Sequence, residues 1–381
     1  MRALASRRRR AVGPRATPAR PSSVTFVIMA GGKGERLWPL VRAGHPKVCL
    51  SPDGTTSLLQ ATIERLRAVW PGAGWRIVTT QEQAPAIRVQ LPHALRGALL
   101  IEPEGKNTAA CLTLAAAVLA ARDLRGVMVA VPADHWIGDV AAFQRAMRSA
   151  IRAAVRHQAL VTIGIVPASP HAGFGYLCAG KAVRPAGGAP SYRLKRFIEK
   201  PSVALARRLL RRPRTYWNSG IFIGTCGQFL ACIAAWLPEH ARRLVPVGED
   251  LEAAPGAPGR HGAARRAAAA YRAVKAVSFD HGVMNHLRDG VVVEGRFAWA
   301  DLGSWEAWAK LRRASSPTVG VRSDRITVVS QGRHLVATVG VRNLLVVHTP
   351  SVTLVCPTDR TQAVRDLARQ VAQDRRLAAF R

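Results

Sequence analysis

Val24 to Leu40 read VTFVIMAGGKGERLWPL: an apolar run that passes directly into three glycines, a lysine and an arginine. The first seven residues have the composition of a short buried strand. A strand that ends in a glycine-rich turn exposes backbone N–H groups able to cradle anionic oxygens. Lys33 and Arg36 would add positive charge to such a cradle. Two familiar phosphate signatures do not fit. A P-loop needs a Ser or Thr after its glycine–lysine pair, whereas Lys33 precedes the last glycine; the dinucleotide fingerprint needs a third glycine where Leu37 stands. A tight surface turn with solvated charges is the other reading, and this stretch alone does not separate the two.

Outward from this loop, strand and helix patterns alternate. Ser57 to Val69 sets Leu58, Leu59, Ile63 and Leu66 on one helical face behind a Ser57 cap. Trp75–Thr79 and Ala98–Ile101 read as strands, Asn107 as the cap of an apolar helix reaching Leu124, and Gly126–Val131 as the next strand. A helix over Asp139–Val155 and a strand over Ala159–Val166 follow. This predicts a Rossmann-like α/β fold with an open, mainly parallel sheet, whose ligands bind beyond the carboxyl ends of the strands. The glycine loop and Asp134 both fall at such ends. Residues 254–270 read as a loop leading into a helix. After Pro317 the pattern changes to short β-branched runs (RITVV, HLVAT, NLLVVHT, VTLVC), closed by a helix from Thr361. The expected division is a basic, disordered tail over 1–23, a catalytic domain over 24–312 and a small all-β, β-helix-like domain over 317–381.

The chain's 381 residues carry a net charge of +33, and only eight of the 56 basic residues are lysine. Such a field attracts polyanions. The arginines are spread along the chain without a nucleic-acid module, which argues against specific nucleic-acid binding. The apolar run around Ala109–Ala121 is too short to span a bilayer, so no membrane span is expected. Six cysteines without a C-x-x-C pair suit neither zinc nor a disulfide scaffold and read as reduced, mostly buried thiols of a cytoplasmic protein.

Eight further elements line up behind the loop: HPKVCL (45–50), EPEGKNTAA (102–110), VPADHWI (131–137), GFGYLCAG (173–180), RFIEKPS (196–202), YWNSGIFI (216–223), FDHGVMNH (279–286) and WADLGSWEAW (299–308). In this set and order the chain, over roughly residues 24 to 375, resembles the mannose-1-phosphate guanylyltransferases among the sugar-1-phosphate nucleotidyltransferases. The resemblance implies a Mg²⁺-dependent enzyme that joins GTP to mannose 1-phosphate, releasing pyrophosphate. It also implies that Gly31, Gly32, Lys33 and Gly34 bind nucleotide together with Asp134, and that Arg36 and Lys47 reach the triphosphate. Lys200 would hold the sugar phosphate, while Gly175, Glu199, Asn218 and Asp280 line the sugar subsite. Asp134 and Asp301 are the implied metal pair. Trp217, Trp299 and Trp305 read as core around the sugar pocket. A homodimer is left open.

The chain departs from the family pattern in several places. Glu35 replaces a small hydroxyl residue and would face phosphate oxygens; Val48 and Cys49 remove a polar and an aromatic contact; Lys106 replaces an arginine; His281 and Asn285 replace a tyrosine and a glutamate. A nucleotidyltransferase for another sugar or base, or a non-catalytic sugar-nucleotide-binding relative, is therefore the alternative. The cupin-type domain that gives some relatives phosphomannose isomerase activity is not expected.

Overall fold

In a computed structural model of the chain, which describes residues 21–185, 187–253, 260–311, 318–332 and 334–381, Val24–Met29 forms the central strand β1. Strand alternation sends Phe26 and Ile28 to one face and Val27 to the other, and both faces are covered. On the first face lie the helices Leu58–Arg67 and Val140–His157; on the second lies Asn107–Ala120. That double cover is why β1 reads as a near-continuous apolar run. β2 (Gly74–Thr80), β3 (Leu99–Glu102) and β4 (Val127–Pro132) join β1 in the order β3-β2-β1-β4, all parallel. The Ser57 cap read from sequence holds, as a reciprocal capping box with Gln60; Asp139, expected as the first residue of its helix, is instead the cap, its Oδ1 accepting from Ala142 N. The apolar helix differs. It stops at Ala120, and Asn107 is its first residue at φ 67, with Oδ1 accepting only from the adjacent Thr108 N.

β5 (His135–Ile137) leaves the sheet, which is extended by β6 (Val161–Ile165), β7 (Tyr176–Ala182), β8 (Ser191–Ile198), β9 (Thr215–Thr225) and β10 (Val291–Gly295). The order becomes β3-β2-β1-β4-β9-β6-β10-β8-β7. β6 and β10 are parallel, while β9 runs antiparallel to β4, β6 and β7, and β8 antiparallel to β7 and β10. The first half is the parallel α/β sheet expected, and the irregular middle of the chain contributes the antiparallel strands. β11 (Trp299–Asp301) then pairs antiparallel with β5, placing Asp301 opposite His135.

β12 (Thr318–Val321), β13 (Thr327–Ser330), β14 (Val336–Val339), β15 (Leu344–His348) and β16 (Thr353–Pro357) build the β-helix-like C-terminal unit. Thr318 pairs in parallel with Val336, and Thr327 with Leu345, each 18 positions on, so the chain coils with a constant rise. The closing helix begins at Val364, after a 3-10 turn over Thr358–Ala363. Its Val364 and Val371 share a third core with Leu37, Trp38, Leu302, Trp305 and Trp308. Trp305 therefore packs against the C-terminal unit and not around the sugar pocket.

Residues 1–20 of the basic tail and 312–317 at the expected boundary lie outside the described residues, as do 254–259 of the expected loop. Ser22 and Ser23, placed in the disordered tail from sequence, instead donate to Asp123 Oδ2. Among the described residues, no helix is long and apolar enough to cross a membrane. The six cysteines are free; Cys111 and Cys226 are buried and the others half-buried.

Candidate active site

Two loops meet at the carboxyl ends of β1 and β4. The first is the glycine loop. Gly34 has φ 63, and a Cβ there would lie 2.8 Å from Lys47 Cβ, so the loop needs glycine both for its handedness and for close approach to Lys47. Gly31 passes over the buried carboxylate of Glu102, and Gly32 faces open space. Lys33 and Arg36 are exposed.

The second loop brings Asp134 beside β5. Pairing of β5 with β11 carries Asp301 to the same point, and Lys47 Nζ donates to Asp134 Oδ2 at 2.5 Å and to Asp301 Oδ1 at 3.4 Å. Carboxylate and ring atoms of Asp134, His135 and Asp301 lie within 4.8 Å of one another. Burial alone would lower the pKa of Lys47, but the two carboxylates outweigh that effect and raise it. Burial likewise pushes Asp134 up, and Lys47 more than reverses this, pulling it down to about 2. Burial lowers the pKa of His135, keeping the ring neutral. Trp299 Nε1 donates to His135 Nδ1 at 3.3 Å, so the ring proton sits on Nε2, 4.0 Å from Asp134 Oδ1. That Nε2–Oδ1 separation is beyond hydrogen-bond distance, so the acceptor oxygens gathered at this point are those of the two carboxylates.

β9 carries the other polar cluster. Asn218 N donates to Gly175 O, Asn218 Nδ2 donates to Asp280 Oδ1 at 2.7 Å, and Thr162 Oγ1 donates to Asn218 Oδ1 at 3.2 Å. Lys200, at φ 43, reaches Glu199 Oε1 at 3.1 Å. A Cβ on Gly175 would lie 2.7 Å from Glu199 Oε2. Burial, reinforced by the charge of Glu199, pushes Asp280 up to about 6. The two clusters adjoin: Gly220, two residues beyond Asn218, faces Pro132 and His135, and Phe174 contacts both Trp217 and Trp299 at 5.1 and 5.0 Å between centroids.

The fold thus gathers Lys47, Asp134 and Asp301 beneath the glycine loop, and Gly175, Glu199, Lys200, Asn218 and Asp280 on the adjoining face. Sequence reasoning missed four participants. Thr162 and His135 each touch a predicted residue, and only the position of His135 beside Asp134 hinted at it. Glu102, whose Oε1 accepts from Tyr271 Oη at 3.2 Å, is pushed up to about 7 by burial. Arg369, whose Nε lies 3.3 Å from Glu35 Oε2, comes from the closing helix, and one arginine among so many carries no signal. The substituted His281 and Asn285 do not join the Asn218–Asp280 contacts: His281 Nδ1 lies 2.9 Å from Ser278 Oγ, and Asn285 Nδ2 donates to His281 O.

A family model described as nucleotidyl transferase matches residues 25–316, and one described as the MannoseP isomerase/GMP-like beta-helix domain matches residues 316–371. The xanthan biosynthesis protein XanB of Xanthomonas campestris is 33% identical over 360 residues, covering 92% of this chain and 73% of that one. A mannose-1-phosphate guanylyltransferase of Salmonella muenchen is 31% identical over 357 residues, covering 90% and 72%. A crystal structure described as mannose-1-phosphate geranyltransferase from Thermus thermophilus is similar at a TM-score of 0.75 and 31% identity, over 92% of this chain and 99% of that one.

Proposed function

We propose that this chain, which belongs to the nucleotidyl transferase family, transfers GMP from GTP to mannose 1-phosphate, giving GDP-mannose and pyrophosphate. The observation that carries the reading is the meeting of Asp134 and Asp301, 167 positions apart in sequence, at one buried lysine below a bare glycine loop. The names of the relatives support the choice of base and sugar, and XanB supports a place in polysaccharide synthesis. Catalysis is assigned to the larger unit, residues 24–312, with the β-helix-like unit over 317–381 as the second domain.

The nucleophile of this reaction is already an ionised phosphate oxygen, so no strong general base is required. The oxygen attacks the α-phosphorus in line, and the α–β anhydride bond breaks as pyrophosphate leaves. What the protein must supply is alignment of two polyanions and neutralisation of their repulsion. Backbone N–H groups of Gly31, Gly32 and Gly34 wrap the triphosphate, with Lys33 and Arg36 on the leaving phosphates. Lys47 is held between its aspartates within reach of the same phosphates, and Lys200 holds the sugar phosphate. Glu199, Asn218 and Asp280 bind sugar hydroxyls over Gly175, whose missing side chain leaves the approach open.

The donor chemistry fits Mg²⁺, because two carboxylates are available and the ammonium of Lys47 marks a point where positive charge is stabilised. Asp134 and Asp301 would hold the ion, which supplies charge neutralisation at phosphate oxygens.

The test is pyrophosphate release with Mg²⁺ from each of GTP, ATP, UTP, CTP and dTTP, paired with mannose 1-phosphate or glucose 1-phosphate. Release with GTP and mannose 1-phosphate, abolished in the Asp134→Ala, Asp301→Ala double variant, is the expected result. Folded protein that binds GTP but releases pyrophosphate with no pair overturns the reading.

A further inference from the structure

The cavity of about 450 Å³ between the glycine loop and the aspartate pair has one wall that comes from the far end of the chain. Its lining includes Arg36, Asp134 and Asp301, and also Arg365 and Arg369 of the closing helix Val364–Gln373. These two arginines are one helical turn apart, so they stand side by side on one flank of that helix. The opposite flank is anchored. Val364 and Val371 are buried against the core that contains Leu37, Trp38 Nε1 donates to Phe380 O at 3.0 Å, and Ala43 N donates to Arg381 O at 3.0 Å. The C-terminal segment is thereby fastened to the stretch that directly follows the glycine loop.

Glu35 explains how the flank is set. A carboxylate within a phosphate-binding loop repels the ligand, yet here its Oε2 lies 3.3 Å from Arg369 Nε. Arg369 is half-exposed, and a pair of this kind contributes little to stability, so exchanging its anion costs little. Among the described residues, the one carboxylate partner of Arg365 is its exposed neighbour Asp366, at 3.8 Å. A phosphate chain offers several oxygens to two planar guanidinium forks, a better match than one carboxylate.

We propose that Arg365 and Arg369 are pyrophosphate-binding residues, which take the β- and γ-phosphate oxygens of the nucleotide and of the leaving pyrophosphate, Glu35 being the stand-in anion that positions Arg369. This assignment rests on the nucleotidyl-transfer reading. The C-terminal unit is then part of the active site, and Glu35 is no defect in the loop.

The experiment is calorimetric titration of the full chain with magnesium pyrophosphate, in the wild type and in Glu35→Ser, Arg365→Ala, Arg369→Ala and Glu35→Ser/Arg369→Ala variants. Thermal melts check that each is folded. Glu35→Ser is expected to bind pyrophosphate severalfold more tightly than the wild type, because Arg369 is released. Arg365→Ala is expected to bind about tenfold more weakly, the scale of one charge-assisted hydrogen bond. The deciding comparison is Glu35→Ser with Glu35→Ser/Arg369→Ala. If Arg369 touches phosphate, the double variant binds about tenfold more weakly than Glu35→Ser. If Arg369 only neutralises Glu35, the two bind equally and the proposal falls, as it does if the wild type binds no pyrophosphate. Because no turnover is measured, a chain that made no GDP-mannose would still pass or fail this test on its own terms.

Discussion

Lys47 Nζ lies between Asp134 and Asp301, 2.5 Å from one carboxylate and 3.4 Å from the other, with the lysine side chain almost fully buried. Removing the ammonium leaves two carboxylates facing one another with no protein cation between them. Breaking a buried pair by deleting one partner costs about 3–5 kcal/mol. Lys47→Ala is therefore expected to lose stability on that scale in chelator and to regain a large part when Mg²⁺ is added. Urea unfolding with and without Mg²⁺ measures this. Its kcat/KM is expected to fall by about 100-fold or more even at saturating Mg²⁺, since a preorganised charge aimed at the reacting phosphates is gone.

The two raised carboxyls give the fold a pH dependence of defined sign. Glu102, pushed up to about 7, and Asp280, pushed up to about 6, both hold their protons more tightly folded than unfolded, burial being the main cause. Between the ordinary carboxyl range near pH 4 and these values, the native state binds more protons than the unfolded state, so stability falls as pH rises. Their contribution is fully present below about pH 4 and lost by about pH 7. Asp134, held down at about 2, acts oppositely, and only at pH values below that window. The histidines that burial pushes down, His135, His157, His171 and His240, act oppositely in the upper part of this window, so the reading is a difference: unfolding midpoints of Glu102→Gln should fall less, or rise more, than those of the wild type from pH 4.5 to 7. An unchanged slope in that variant would show that Glu102 titrates normally.

Two glycines separate the nucleotide side from the sugar side. Gly34→Ala forces φ 63 on a residue with a Cβ and drives that Cβ to 2.8 Å from Lys47 Cβ. A left-handed conformation alone costs an L-residue about 1–2 kcal/mol. This variant should raise the KM for GTP and lower the melting temperature. Gly175→Ala keeps an allowed backbone but sets its Cβ 2.7 Å from Glu199 Oε2, so it should raise the KM for mannose 1-phosphate by about tenfold or more, a loss of one hydrogen-bonded contact to a charged group. Steady-state kinetics with each substrate varied in turn would separate the two. If both variants raised the same KM, the assignment of two subsites would be wrong.

What could be read from the sequence was local. β1 and its glycine loop, the Ser57 cap and the β-branched strands after Pro317 all follow from residue pattern over a few positions. Asp134 and Asp301 could be paired only by resemblance. The strands that join them, β5 and β11, are three residues each, too short for any periodicity to mark. Sequence pattern likewise hid the antiparallel course of β9, which depends on β4 and β6, strands far before it in the chain. Glu35 is the clearest case. In isolation it looks like a misplaced charge, and its partner Arg369 is 334 positions away on another unit.

The substitutions at His281 and Asn285 can be weighed in the same way. Both stand where the family resemblance places a tyrosine and a glutamate near the sugar, and both are exposed or half-exposed. His281 N donates to Ser278 Oγ, and Asn285 Nδ2 donates to His281 O, so each contact closes a turn of the segment that carries Asp280. The contact that faces the sugar side, Asn218 Nδ2 to Asp280 Oδ1, involves neither side chain. His281→Tyr and Asn285→Glu should therefore change the KM for mannose 1-phosphate by less than about threefold, the ordinary scale of a surface substitution. Asp280→Ala should raise it by about tenfold or more, because the acceptor that orients Asn218 is removed. Measuring both KM values for mannose 1-phosphate and glucose 1-phosphate decides the matter: a switch of sugar preference in the His281 or Asn285 variants would place those residues in the pocket after all.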